Sequence, residues 1–423
     1  MRDLHSEEAA LAALAAEVFD GIRALSPDAR GVSRPAFSAV ETATLHWLAE
    51  FARRNGLHVS QDAGRNLVFC LPQDADAERW VLIGSHVDSV PMGGNYDGLA
   101  GVVAGLIVLI RAARTGARFC RPVKCLAMRG EESAWFGACY LGSKMLTGLL
   151  PPAELAATHK GDARPLSAHL GDLGIDTAPL SEGRPITDLS RIEAYLELHI
   201  EQGPLLVERG LPAAVVSGIR GNFRHREVRC IGQAGHSGAV PRAYRHDPVL
   251  AFAELMHRLD DTWDHLLRTG RDLVLTSGIV GTDPAGHAIS RIPDSLGFSL
   301  DIRSQEVEVL DRMRAYLRAQ MDDIARSRGV RFETGPEVAV APALMDPAIT
   351  RGLEAAMRAR FGDAFTMASG GGHDAAIFAQ AGIPSGMVFV RNRNGSHNPD
   401  EAMELEDFMV GTAVLSAYLE GNS

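Results

Sequence analysis

Apolar residues recur at helical spacing over residues 6–27 and 37–56, and each segment has a Ser at its start that can cap a helix. Trp80 to Val87 is a short apolar run bounded by turn residues, the pattern of a buried strand. A Gly-rich turn follows, and then Leu99 to Thr115 reads as a helix. Val123 to Met128 and Ala194 to Ile200 read as further buried strands. Strands separated by helices predict an α/β layered domain with a largely parallel or mixed sheet.

The texture changes near Ser217. A helix at 247–268, the strands LVLTSGIVG and SLGFSLDIR, and a long helix at 305–327 make a compact α+β unit. After Pro342 the first texture returns, with a helix at 347–361, the Gly-rich run Ser369 to Gly372, a strand at 387–390 and a closing helix. The expected architecture is a catalytic domain built from both chain ends, residues 1–216 and 336–423, with a smaller domain inserted at 217–335.

The chain's 423 residues are too many for one ordinary core, which agrees with two domains. A formal net charge of −11 argues against a nucleic-acid partner, and Arg220 to Arg229 alternates with apolar residues as an exposed strand face does. Five cysteines without CxxC spacing fit free thiols in a reducing compartment. The first residues carry acids and lack the basic and apolar regions of a signal peptide. The longest apolar stretch, Leu99 to Ile110, is 12 residues and too short to span a bilayer. These features lead us to expect a cytoplasmic protein without a membrane partner.

Four segments carry candidate chemistry. In GSHVDSVPMGGNYDGLAG, His86 closes a strand, Asp88 shares its face and can accept its second ring N–H, and Asp97 lies in a Gly-rich turn. Glu131 and Glu132 directly follow the strand VKCLAM, so one can ligate metal while the other takes a proton from water. In AYLELHIEQGP a strand would place Glu197, His199 and Glu201 on one face, which is costly to bury without partners. His397 sits in the polar loop GSHNPDEAM. Each segment alone has an ordinary reading: a structural histidine, a turn aspartate, a solvated acid pair. Together, at strand ends of one α/β domain, they make a mixed N/O donor set suited to two zinc, manganese or cobalt ions.

The motifs GSHVDSV…GGNYDG, GEES…FG, ELHIEQGP, GQAGHSGAVP, IPDSLGFSLDIR, GGGHDAA and GSHNPDEAM resemble those of the hydantoinase/carbamoylase-type dinuclear-metal amidohydrolases, from about Arg34 to about Phe408. That family includes N-carbamoyl-L-amino-acid hydrolases, allantoate amidohydrolases and β-ureidopropionases. The resemblance implies two divalent ions per subunit, zinc being the first expectation and manganese, cobalt or nickel the others. His86, Asp97 and His199 would hold one ion, and Asp97 would bridge to a second held by Glu132 and His397. Glu131 would be the general base and His236 the lid histidine that stabilises the oxyanion. Gln202, Ser290, Arg303 and His373 would contact substrate, with Arg303 gripping a carboxylate by a bidentate pair.

The implied reaction is attack of a metal-bridging hydroxide on the carbamoyl or ureido carbon of an N-carbamoyl amino acid or related compound. The inserted domain would be both lid and dimerisation surface of a homodimer. The histidine at position 199, where peptidases of the wider superfamily usually carry a carboxylate, favours carbamoyl substrates over the alternative, an N-acyl-amino-acid deacylase or dipeptidase. Three positions depart from the family pattern: Ser290 followed by Arg291 where Asn is common, Trp135 where Arg is usual, and Arg242 where Met is common. They bear on substrate identity and leave the metal chemistry untouched. His159, His169, His246, His257, His265 and His287 match no motif and read as structural.

Overall fold

The computed structural model describes residues 2–421. Residues up to Ile219, together with those from Leu344 onward, form one unit, and Arg220–Ala343 form a second. The second unit starts three residues and ends eight residues later than the bounds read from the sequence. Strand pairing explains both shifts. Ala213–Ile219 pairs antiparallel with Ser385–Val390 and belongs to the first sheet. Glu337–Val340 pairs with Gly221–Ile231 and belongs to the second. Positions 1, 422 and 423 of the expected first domain lie outside the described residues.

The first unit is organised by a nine-stranded mixed sheet. Its order is His58–Gln61, Leu67–Cys70, Val123–Met128, Trp80–His86, Ile192–Ile200, Ser385–Val390, Ala213–Ile219 and the short Ala343–Leu344, with Thr366–Ser369 also pairing Ala213–Ile219. The four central strands, Val123–Met128, Trp80–His86, Ile192–Ile200 and Ser385–Val390, run parallel. Their carboxyl ends therefore share one edge, where ligands of open α/β sheets bind.

The helix Leu99–Thr115 is almost wholly buried and packs on this sheet. Its approach is so close that a Cβ on Gly101 would lie 2.4 Å from the carbonyl oxygen of Leu198. The helix Ala39–Arg54 is capped by Ser38, which accepts the N–H of Glu41, as the sequence suggested. The first helix, in contrast, runs Arg2–Leu25, so it begins before Ser6.

In the second unit, Ser295–Ser304 lies antiparallel to Gly221–Ile231, and the helices Pro248–Arg268 and Val307–Arg328 close the apolar face. The expected strand LVLTSGIVG is two pieces, Val274–Thr276 and Val280–Gly281. Both pair with Ser295–Ser304: Thr276 lies opposite Asp301 and Val280 opposite Phe298, so this segment spends four steps against three of its partner, and the extra residue breaks the strand. Among the described residues no helix is long and apolar enough to cross a membrane.

Candidate metal centre

His86 is the last residue of its strand, and Asp88 sits just beyond it, fully buried. His86 Nδ1 lies 3.1 Å from the backbone oxygen of Asp88 and 3.3 Å from its Oδ1. An Nδ1–H donated there leaves the Nε2 lone pair facing Asp97 Oδ1, 3.5 Å away. His199 repeats the device: Nδ1 lies 2.9 Å from the Ile200 oxygen, and Nε2 lies 3.1 Å from the same Asp97 Oδ1. Asp97 turns its other oxygen, Oδ2, toward His397 Nε2 at 3.5 Å, and His397 Nε2 lies 3.3 Å from Glu132 Oε1. One carboxylate thus faces two donor groups, His86 with His199 and Glu132 with His397.

The local backbone is built for this. Gly98 has a φ of 66°, and a Cβ there would lie 2.3 Å from the His86 ring. Only glycine can follow Asp97 without displacing the ring. Glu131 and Glu132 follow the neighbouring parallel strand, and Asp88 fixes them both. Its Oδ1 accepts the Glu131 N–H at 2.9 Å and its Oδ2 accepts the Glu132 N–H at 3.0 Å. Asp88 therefore orients one imidazole and aims two carboxylates.

The electrostatics call for positive charge. Among the described residues, the ion-pair partners of Asp97, Glu131 and Glu132 are all histidines. Burial opposes a charge on His86, but Asp88 and Asp97 outweigh it and push its pKa well up. The hydrogen bond that its ring donates to Glu132, against partial burial, raises that of His397 to about 9. Burial, reinforced by Glu132 and Asp374, drives the Glu131 carboxyl well above its usual range, with His86 pulling the other way. Buried carboxylates interleaved with imidazole lone pairs fit divalent cations of borderline hardness.

The other expected site residues fall as follows. Gln202, in the left-handed region at φ 64°, donates its side-chain amide to Asp97 Oδ2 at 2.8 Å. His373 is buried, lies 4.4 Å ring to ring from His199, and has Nε2 2.9 Å from the Ser369 hydroxyl. Burial, with His199 adding, holds it well below the usual histidine range, so it is neutral. His236, Ser290 and Arg303 all lie in the second unit. His236 pairs across strands with Arg291, and the Ser290 backbone oxygen accepts the N–H of Ser237. Arg303 forms an ion pair with Asp301 at 2.7 Å. Arg242 and Ser290 are exposed, whereas Trp135 is half-buried and donates its indole N–H to the Ser89 oxygen at 2.7 Å.

Glu201 departs from the expected shared face with Glu197 and His199. The strand ends at Ile200, and the Glu201 carboxylate instead caps a short helix by accepting the N–H groups of Leu205 and Leu206, each at 2.7 Å. Glu197 does stay beneath the site, accepting from Ser85 at 2.6 Å and from the N–H of Ala375 at 2.9 Å.

Three supporting residues went unread in the sequence. Glu401 Oε1 accepts the N–H groups of Tyr96 and Asp97, and the Ser396 hydroxyl lies between Glu401 Oε2 and Asp97 Oδ2. Arg34 is fully buried, with its Nε donating to the Val87 oxygen at 2.7 Å and Nη1 to Asn95 Oδ1 at 3.0 Å. Glu401 stands in GSHNPDEAM, four residues after His397, which was its one available signal. Ser396 stands in the same motif, beside His397, whereas Arg34 carried no such signal.

Comparison with known proteins decides the family. The model of peptidase family M20/M25/M40 matches residues 82–421. The chain belongs to this family. Within it, the chain is 32% identical over 387 residues to the N-carbamoyl-L-amino-acid amidohydrolase of Pseudomonas sp. (strain NS671), covering 91% of this chain and 92% of that protein. It is 30% identical over 396 residues to the allantoate amidohydrolase of Escherichia coli (strain K12), covering 92% and 93%. A hydantoinase/carbamoylase family amidase from Burkholderia ambifaria has a similar structure, with a TM-score of 0.84 at 29% identity over 96% of each chain. This M20 member is an amidohydrolase, a hydrolase of carbon–nitrogen bonds other than peptide bonds.

Proposed function

We propose that this amidohydrolase is metal-dependent and cleaves a carbamoyl or ureido C–N bond of an N-carbamoyl amino acid or a related small compound carrying a carboxylate. The observation that carries the reading is the placement of Asp97, with one oxygen facing His86 and His199 and the other facing His397 beside Glu132. His86, Asp97 and His199 would hold one divalent ion and Asp97, Glu132 and His397 a second, zinc first and manganese, cobalt or nickel as alternatives. Bound there, the ions supply Lewis acidity toward a carbonyl and acidify water.

The chain's own residues do the rest. Glu131, whose buried carboxylate has a raised affinity for protons, takes the proton of the attacking water at an Oε. It returns that proton to the leaving nitrogen as the C–N bond breaks. For a carbamoyl group the products are ammonia, carbon dioxide and the free amine. His236 would stabilise the developing oxyanion, and Arg303 would grip the substrate carboxylate. Gln202, Ser290 and His373 would be further contacts, and the second unit would serve as lid and homodimer surface.

The test is product analysis of protein loaded with zinc or manganese, using N-carbamoyl-L-amino acids, allantoate and N-carbamoyl-β-alanine. Ammonia from at least one of them is expected. No ammonia, with amine released from N-acyl amino acids instead, would replace this reading with a deacylase on the same scaffold.

A further inference from the structure

We infer that His159, Asp162 and His169 form an accessory site for one divalent cation of borderline hardness, such as zinc. The three follow a His-x2-Asp-x6-His spacing that belongs to none of the family motifs. The fold brings them together. Thr158 bridges Pro165, the His159 N–H donates to the Arg164 oxygen at 2.9 Å, and Ala163 takes a φ of 57° to close the loop. His169 then projects from the helix Leu166–Asp172.

His159 Nδ1 lies 3.1 Å and His169 Nε2 3.3 Å from the same oxygen, Asp162 Oδ1. The main centre shows the same spacings, 3.1 Å for His199 to Asp97 and 3.3 Å for His397 to Glu132. Zinc bonds of about 2.0–2.1 Å in tetrahedral array put neighbouring ligand atoms about 3.3 Å apart. The donor set, two imidazoles and one carboxylate, suits zinc, cobalt or nickel better than magnesium or calcium.

Hydrogen bonding orients the atoms of the cluster. The Gly161 N–H points at His159 Nδ1 from 3.3 Å. The same nitrogen faces Asp162 Oδ1, which is acceptor-only and already receives the Arg164 N–H at 3.1 Å. With its Nδ1 lone pair turned to the same point, the imidazole and this carboxylate could hold one cation together. His159 Nε2 is buried and has no hydrogen-bond partner, so the ring's polar contacts are made through Nδ1, the atom facing Asp162.

The rings are held in place before any ion arrives. Trp135 stacks on His159 at 5.8 Å and 15°, and Phe136 meets His169 edge-on at 5.3 Å. Asp162 keeps 42% of its side chain exposed, which leaves room for water as a further ligand and an entry path for the ion. A bound cation would clamp this loop against Trp135, whose backbone oxygen accepts the Lys160 N–H at 2.8 Å and whose indole reaches Ser89 beside Asp88.

The inference uses none of the main-centre ligands, and its test keeps the two apart. Chelator-treated full-length protein carrying His86→Ala and His397→Ala is titrated calorimetrically with zinc, with circular dichroism confirming the fold. One equivalent should still bind. Cobalt should give tetrahedral visible absorption and quench Trp135 fluorescence. Asp162→Asn added to that background should abolish all three signals, and it is expected to fold because its amide oxygen still accepts the Arg164 N–H. His169→Gln should do the same. No zinc binding in the His86→Ala/His397→Ala protein, or an equivalent that survives both further substitutions, would overturn the site. An error in the main-centre reading would appear elsewhere, as an unchanged zinc stoichiometry when His86 and His397 are removed from the wild type.

Discussion

Asp88 Oδ1 accepts the backbone N–H of Glu131 at 2.9 Å. The same side chain accepts from Glu132 and faces His86 Nδ1, so one carboxylate sets the direction of two candidate ligands and the candidate base. Asp88→Asn would turn one acceptor into a donor aimed at an N–H or an N–H-bearing ring. Partners of this kind cost about 10–100-fold in metal affinity or activity when removed. A loss in that range is expected in both zinc affinity by competition titration and kcat.

Glu131→Gln keeps the shape of the site and removes the proton acceptor. Zinc content should stay at the wild-type level while kcat falls by about 10²–10⁴, the usual contribution of a general base. Metal analysis and steady-state rates on the same preparation check this. Wild-type turnover in the Gln variant would remove Glu131 from the mechanism.

Gly98→Ala places a methyl within 2.3 Å of the His86 ring at a backbone φ of 66°. Backbone strain of this kind costs about 1–3 kcal/mol, and the ring must also shift. Urea unfolding should show a lower midpoint, and zinc affinity should fall even where the variant is fully folded.

Asp374 provides a pH signature. Its Oδ1 accepts from the Ser143 hydroxyl at 2.5 Å, while its buried Oδ2 has no hydrogen-bond partner. Burial, with Glu197 adding, raises its pKa to about 7. A carboxyl raised on folding binds more protons in the native state. Its stabilising effect is full below about pH 3.9, its unfolded value, and is lost as the pH rises through about 7. Thermal melts of metal-free protein should therefore show Asp374→Asn gaining on the wild type between pH 5 and pH 8. A constant gap across that interval would contradict the assignment.

Much of this was legible in the chain. His86, Asp97, Glu132, His199 and His397, which the structure brings together, stand at strand ends or in turns and loops where residue type and local pattern mark a candidate site. Glu201 misled because period-2 reasoning assumes that the strand continues, and this strand stops one residue earlier to start a capped helix. Arg34 and Glu401 gave little warning, since their roles rest on partners such as Asn95 and Tyr96, far from each in sequence. Residues 137–191 hold only short helices, including Leu141–Thr147 and Leu166–Asp172, too brief to show a period. The His159–Asp162–His169 group lies in that stretch.

Metal dependence is the claim on which the rest stands. Ammonia release from the best substrate should be measured after exhaustive chelation and again after zinc or manganese is restored. The account expects activity to vanish with the metal and to return with it. Ammonia release that persists at full rate in protein shown to be metal-free would contradict the account.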